Sequence, residues 1–249
     1  MKKNKILCVI PSRLNSTRLP RKPLVLIGNK PMIQWVYEGA KQCSAFSKII
    51  VATDSQEIAD VIEKIGGNVE ITPSELPTGT DRVAYVAKKY PEYNVVVNLQ
   101  GDEPFINSEM LLSLIESYLN GLNPQMATLA CPLHINEELN DPNTVKVIVN
   151  KMNQAIYFSR SPIPFFRNNN VSELPLFMHL GLYAFTREFL LEFTQMEQTP
   201  LEQTEILEQL RAIENGIPIY VSQTPHRIIE INYPEDLQKA QKYAESLFA

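Results

Sequence analysis

Residues 48–72 read KIIVATDSQEIADVIEKIGGNVEIT, and composition alone divides them into three segments. Residues 48–53 form a short apolar, β-branched run of strand length. Asp54 and Ser55, good helix-capping residues, lead into a predicted helix over 56–65 that Gly66 and Gly67 end. Residues 68–72 then give a second strand. The same alternation continues on both sides. Residues 6–10 are a continuous apolar run, as in a strand covered on both faces. Residues 31–43 read as a helix, with Pro31 at its start and Ile33, Val36, Tyr37 and Ala40 at helical spacing. A helix over 81–89 and a strand over 94–99 complete a βαβαβαβ series, which predicts a doubly wound, mostly parallel α/β sheet with right-handed crossovers.

The second half changes character. After a helix over 108–119, residues 127–133, 145–149, 155–159 and 180–186 look strand-like with few helices between them, which predicts a smaller mixed or antiparallel lobe. A helix over 202–215 should stop at Gly216, with Ile206, Leu207, Leu210 and Ile213 as its apolar stripe. Strands over 218–223 and 227–231 and a helix from Pro234 follow. No linker-like stretch interrupts the chain, so a single domain over 1–249 is expected, with two halves over 1–125 and 126–249.

The 249 residues carry a formal net charge of −5, which argues against a nucleic-acid binder, since such proteins need a basic footprint to displace counterions. Three cysteines, Cys8, Cys43 and Cys131, are odd in number and widely spaced, which fits a reducing compartment better than a disulfide framework. The opening apolar run is too short for a signal sequence or a membrane span, so a cytoplasmic protein without a membrane partner is expected.

Against that acidic background, residues 11–24, PSRLNSTRLPRKPL, concentrate Arg13, Arg18, Arg21 and Lys22 in one loop. Like charges so close ask for an anion, and the first βα turn is where α/β proteins hold phosphates. The loop is either a triphosphate cradle or a solvated basic loop; Pro11, Pro20 and Pro23 fix φ at three positions and favour a defined path. Neither the P-loop nor the dinucleotide glycine signature is present, which disfavours a nicotinamide-linked reductase. Residues 98–104, NLQGDEP, close the fourth strand with adjacent acids, and Asp102 falls where a nucleotide's metal would sit or where a turn needs a cap. Residues 78–82, TGTDR, read as a capped helix start at which Gly79 would let a nucleobase approach the backbone.

The pattern RxxSxRLPxKPL at 13–24, followed by GxKPMIQxVYE at 28–38, resembles the nucleotidyltransferases that activate sugars, most closely the 3-deoxy-manno-octulosonate (Kdo) cytidylyltransferases. YFSRSPIP at 157–164, HLGLYAF at 179–185, PLEQTEILEQLRAIENG at 200–216 and PEDL at 234–237 extend the resemblance over nearly the whole chain. It implies a Mg²⁺-dependent dimeric enzyme that transfers CMP from CTP to the anomeric hydroxyl of Kdo and feeds lipopolysaccharide synthesis. By the same resemblance Pro11, Ser12, Arg13, Arg18, Lys22, Thr78, Gly79, Thr80 and Gln100 bind the nucleotide. Arg13, Lys22 and Asp102 are the catalytic set. Gln100, Arg160, His179, Tyr183, Glu208 and Gln209 line the sugar site, with Arg160 on the sugar carboxylate, although His179 also reads as a core histidine and Glu208 as a solvated helix face. Two departures stand out. Arg21 replaces a family glycine, and Asn232 replaces the aspartate expected as second metal ligand beside Asp102. Glu230, two residues upstream on the same face of a predicted strand, is the compensating candidate. The rival readings are a transferase for 8-amino-Kdo or a sialic-type acid, and a catalytically weakened nucleotide-binding paralogue.

Overall fold

A computed structural model describes residues 4–15, 19–167, 175–231 and 233–247. Two compact units are distinguished, residues 1–112 with 228–249 and residues 113–227. Arg18 and Asn232 lie outside the described residues.

In the first unit the chain runs through β1 (Ile6–Ser12), a 3₁₀ turn (Lys22–Leu24), the short hairpin β2 (Leu26–Ile27) and β3 (Lys30–Pro31), and α1 (Met32–Lys41). It continues through β4 (Phe46–Thr53), α2 (Gln56–Lys64), β5 (Asn68–Ile71), α3 (Gly79–Lys89) and β6 (Val95–Asn98) to α4 (Ser108–Leu119), within which the second unit begins. Strand β1 pairs in parallel with β4 on one side and β6 on the other, and β4 pairs in parallel with β5. The four therefore lie in the order β6-β1-β4-β5, which is doubly wound and reverses direction between β1 and β6. Such a reversal opens a crevice at the carboxyl ends of the two strands, where open α/β sheets bind ligands. All seven residues of β1 and all four of β6 are buried, as the continuous apolar runs require. On α1 the expected stripe of Ile33, Val36, Tyr37 and Ala40 is buried. Helix α3 starts two residues earlier than the composition suggests, because Thr78 and Asp81 form a complete capping box.

The second unit holds β7 (Met126–Pro132), α5 (Ile135–Glu138), β8 (Lys146–Val149), β9 (Ala155–Ser159), β10 (Phe177–Thr186), α6 (Arg187–Phe193), α7 (Pro200–Glu205), α8 (Leu210–Glu214) and β11 (Ile219–Gln223). Its sheet is mixed: β10 is antiparallel to β7 and β8, β8 is antiparallel to β9, and β11 is parallel to β7. The single helix expected over 202–215 is broken into α7 and α8. Ile206 takes φ 54°, Leu207 N–H bonds back to the Glu202 carbonyl at 3.2 Å, and Ile206 turns out to solvent instead of joining the apolar stripe. A buried Arg211–Glu202 pair, with Nε to Oε2 at 2.8 Å and Nη2 to Oε1 at 2.5 Å, holds the two short helices together.

The chain then returns to the first unit through residues 228–231, which form no strand, and α9 (Pro234–Ser246). The predicted strand over 227–231 is thus absent, and with it the period-of-two argument that linked Glu230 to Asn232. Ile231, Ala240 and Ala244 pack against Ile27 and Met32, joined by Trp35, Phe105 and Leu237. Gln241 pins the hairpin by accepting from Gly28 N–H and donating to the Leu26 carbonyl, both at 2.7 Å. These contacts are among residues roughly 200 positions apart, which no local pattern in the sequence could register.

Candidate active site

At the crevice between β1 and β6, backbone geometry brings the nucleotide candidates together. Gly101 lies so close to β1 that a Cβ on it would sit 2.9 Å from the Pro11 carbonyl, so only glycine allows this approach. Gly79 is packed beside Pro11 and Gln100: a side-chain carbon at that position would lie 3.4 Å from Pro11 Cγ and 3.7 Å from Gln100 Oε1. A relay fixes the amides: Gln100 Nε2 donates to Asn98 Oδ1 at 3.1 Å, and Asn98 Nδ2 donates to Thr80 Oγ1 at 3.2 Å. The Ser12 hydroxyl is buried and has no hydrogen-bond partner among the described residues. Such an orphan is costly unless something else engages it. Pro11, Ser12, Gly79, Thr80 and Gln100 therefore form one cluster. The Thr78 hydroxyl is already committed to the capping box, donating to Asp81 Oδ2 at 2.7 Å and accepting from Asp81 N–H at 3.0 Å.

The three described cations of the loop, Arg13, Arg21 and Lys22, do not share one fate. Lys22 Nζ lies 2.6 Å from Asp102 Oδ2, with both side chains mostly buried, so the cation and the acid singled out in the sequence meet directly. Arg13 is exposed and reaches the Pro77 carbonyl at 3.5 Å. Arg21, which departs from the family glycine, sits at φ 56° and turns its guanidinium onto Glu57, so its charge is engaged outside the cradle. A left-handed backbone is what a glycine provides at no steric cost, which gives the family's preference a physical reason.

Three residues that sequence reasoning passed over belong here. Glu103 is 3% exposed with Oε2 unpartnered, and burial, reinforced by Asp102 and Glu230, pushes its carboxyl well above the usual range. The adjacent acids in NLQGDEP were its only signal. Asp54, read as a cap, accepts from Arg82 Nη2 at 3.3 Å and from Leu14 N–H at 3.4 Å, which ties the phosphate-loop candidate to β4 and α3. Buried Arg82 also donates to the Thr72 hydroxyl.

As for a metal, no group of three His, Cys, Asp or Glu side chains among the described residues is disposed to hold one. A hard cation that takes most of its ligands from phosphate and water needs only one or two protein carboxylates. Asp102 and the unpartnered oxygen of Glu103 fit that requirement by their chemistry.

In the second unit the sugar candidates fall in three places. His179, Tyr183 and Gln209 share one side of β10: the His179 and Tyr183 rings lie 5.6 Å apart, and Tyr183 Oη donates to Gln209 Oε1 at 3.0 Å. Register slips between Leu180 and Tyr183, and the Thr128 hydroxyl fills the irregularity, contacting the Leu182 carbonyl at 2.8 Å and His179 Nε2 at 2.9 Å. Because the carbonyl can only accept, the hydroxyl's one proton goes there and Nε2–H donates to Thr128, which leaves Nδ1 an acceptor. Burial holds the imidazole neutral, pushing its pKa down to about 3. The Gln209 amide Nε2 is buried and unpartnered among the described residues, an available donor beside Tyr183. Glu208 lies 3.7 Å from Arg211, toward the α7–α8 ion pair. Arg160 stands apart at the end of β9, its Nε on the Glu205 carbonyl at 2.8 Å and its Nη1 on the Pro142 carbonyl at 3.0 Å.

A doubly wound crevice with cations from one loop and an acid at a strand end suits a ligand that carries phosphates. Residues 7–225 match the cytidylyltransferase family model. The chain is 51% identical over 240 residues to 3-deoxy-manno-octulosonate cytidylyltransferase of Acaryochloris marina, covering 96% of this chain and 97% of that one. It is 44% identical to the enzyme of the same name from Fusobacterium nucleatum, with 96% of each chain covered. A solved structure of CMP:2-keto-3-deoxy-manno-octonic acid synthetase complexed with CTP superposes with a TM-score of 0.92 at 36% identity, covering 98% of this chain and all of that one. The chain belongs to the 3-deoxy-manno-octulosonate cytidylyltransferase family. A more distant likeness, to 4-diphosphocytidyl-2C-methyl-D-erythritol synthase of Anaerococcus prevotii at TM-score 0.65 and 16% identity, concerns the fold alone.

Proposed function

We propose that this chain transfers CMP from CTP to the anomeric hydroxyl of Kdo, for lipopolysaccharide synthesis. The anomeric oxygen attacks the α-phosphorus and loses its proton, the α–β phosphoanhydride bond breaks, and pyrophosphate leaves. The observation that carries the reading is the 0.92 TM-score to a synthetase complexed with CTP, over 98% of this chain. The shared name of the relatives favours Kdo over an amino-substituted or sialic-type acid. Catalysis of this kind rests on positioning and charge neutralisation. In this reading Arg13, Lys22 and Arg18 neutralise the triphosphate, while Gly79, Thr80 and the fixed amide of Gln100 meet the cytidine. His179 Nδ1, Gln209 Nε2 and the Tyr183 ring meet sugar hydroxyls, and Arg160 pairs with the sugar carboxylate. With Nε and one Nη1 proton already engaged, Arg160 can offer a carboxylate only its Nη1/Nη2 end.

Mg²⁺ held by Asp102, with Glu103 as the neighbouring oxygen donor, would neutralise phosphate charge and lower the pKa of the anomeric hydroxyl. We further propose a cytoplasmic homodimer. Cys8, Cys43 and Cys131 are all buried free thiols, which suits a reducing compartment, and no helix of the described residues is long and apolar enough to cross a membrane. Phe165 at 90% exposure and Ile156 at 55% give the second unit apolar surface for a second copy. The deciding experiment incubates the protein with each of four nucleoside triphosphates against Kdo, 8-amino-Kdo and a sialic acid, and reads pyrophosphate. CTP with Kdo should exceed every other pair, and equal turnover with ATP or GTP would overturn the assignment.

A further inference from the structure

Lys146 is among the most enclosed charges of the chain, 1% exposed, and no carboxylate of the described residues holds it. Its three ammonium protons go to three backbone carbonyls: Asp141 at 2.9 Å, Thr144 at 2.7 Å and Arg160 at 2.5 Å. Burying an ammonium is unfavourable, so a position that keeps one with every proton satisfied has a fixed geometry. Two of the carbonyls belong to the tight turn before β8, knitted internally by Asp141, which accepts Asn143 N–H at 2.9 Å and Asn143 Nδ2 at 3.0 Å. The third is the backbone of Arg160 itself.

The same turn supplies the Pro142 carbonyl that holds Arg160 Nη1 at 3.0 Å. On the other side Glu205 finishes the mount. Its carboxylate accepts Arg160 N–H at 2.9 Å and the Ser159 hydroxyl at 2.6 Å, and its carbonyl accepts Arg160 Nε–H at 2.8 Å. Backbone and guanidinium of Arg160 are thus both fixed, one by Lys146 and Glu205 and the other by carbonyls of the segments they anchor. No described residue takes Nη2. An Nη2 edge that no described residue holds can pair with an incoming carboxylate.

We propose that Lys146, with Glu205, is a positioning residue for the acid sugar: it fixes the turn and strand end that aim the free edge of Arg160 at the substrate carboxylate. The inference rests on the assignment of Arg160 to that carboxylate. Lys146→Met removes the ammonium and keeps an unbranched apolar stem of similar length. Michaelis constants for CTP and Kdo are measured on Lys146→Met, Arg160→Ala and the double variant. Misplacement of a substrate-orienting group costs on the order of 10- to 100-fold, so Lys146→Met should raise the Kdo KM by about tenfold or more while the CTP KM stays within about twofold, and it should add little in the Arg160→Ala background. If Arg160→Ala shows no selective loss for Kdo, the carboxylate assignment itself fails. If Arg160→Ala is selective but Lys146→Met changes both constants equally, or acts as strongly without Arg160, Lys146 is structural only and the proposal falls. Should Lys146→Met not fold, Glu205→Gln carries the test, since it turns an acceptor of Arg160 N–H into an isosteric amide; the same selective rise supports the mount, and equal changes in both constants overturn it.

Discussion

The contact between Lys22 and Asp102 sets up a competition. The ammonium and the carboxylate neutralise each other at 2.6 Å, so a triphosphate that draws Lys22 away also releases Asp102. Lys22→Ala and Arg13→Ala should each cost about 2–4 kcal/mol of transition-state stabilisation, the size of one preorganised electrostatic donor; the exposed Arg13 can go with little change in melting temperature, whereas Lys22→Ala also strips Asp102 of its partner and should lower it. Near-parental kcat/KM in both variants would reduce the loop to a solvated surface. His179 gives a pH signature. Its folded pKa of about 3 lies below the ordinary 6.5, so an unfolded chain takes up a proton below pH 6.5 that the folded chain refuses; stability is unaffected above pH 6.5 and falls as pH drops toward 3. Denaturant titrations at about pH 5 and pH 8, on either side of the ordinary histidine pKa, should therefore differ less for His179→Asn than for the parent, and an unchanged difference would mean the imidazole is not enclosed. Asn232→Asp should strengthen Mg²⁺ binding measured by calorimetry in the presence of CTP, since an anionic oxygen suits a hard cation better than an amide; no change would detach that position from the metal. The position of Asp102 was legible in sequence because the turn after its strand is a local signal. Arg160 could be named as a cation, but its partners at Pro142 and Glu205 are distant in the chain, and its mount was invisible.

Helices and strands of the first unit were readable because each carries its own punctuation: unbroken apolar runs for β1 and β6, Thr78 with Asp81 for α3, Gly66 after α2. The α7–α8 segment defeated the same reading. Its apolar spacing is helical, yet the Arg211–Glu202 pair spans nine residues, which no continuous helix brings together on one face, and Ile206 absorbs the break at φ 54°. An exposed β-branched residue in that conformation is strained. Ile206→Gly should relieve about 1 kcal/mol and raise the melting temperature by about 2–4 °C by scanning calorimetry, with activity retained. A lower melting temperature would show that the side chain is engaged. Arg21 is a related case at φ 56°, but its pair with Glu57 is solvent-screened and contributes little, so restoring the family glycine with Arg21→Gly should leave CTP kinetics unchanged.

Across the molecule, the class of fold was legible and the allocation of segments to units was not. The βαβ pattern announced the parallel sheet, whereas the assignment of 228–249 to the first unit depends on Ile231, Ala240 and Ala244 meeting Ile27 and Met32. If Phe165 and Ile156 face a second copy, Phe165→Glu with Ile156→Lys should convert a dimer to a monomer by light scattering; an unchanged mass would place the contact elsewhere. The discontinuity of the first unit also bears on how the chain is made. On the ribosome, residues 1–112 emerge first, but the segment that covers Trp35 and Phe105 follows only after residues 113–227, a delay of roughly 6–23 s at ordinary elongation rates. During that interval Ile27, Met32, Trp35 and Phe105 lack the C-terminal residues that cover them, so in stalled chains carrying a C-terminal extension the first unit should resist proteases only once Ala244 has cleared the exit tunnel.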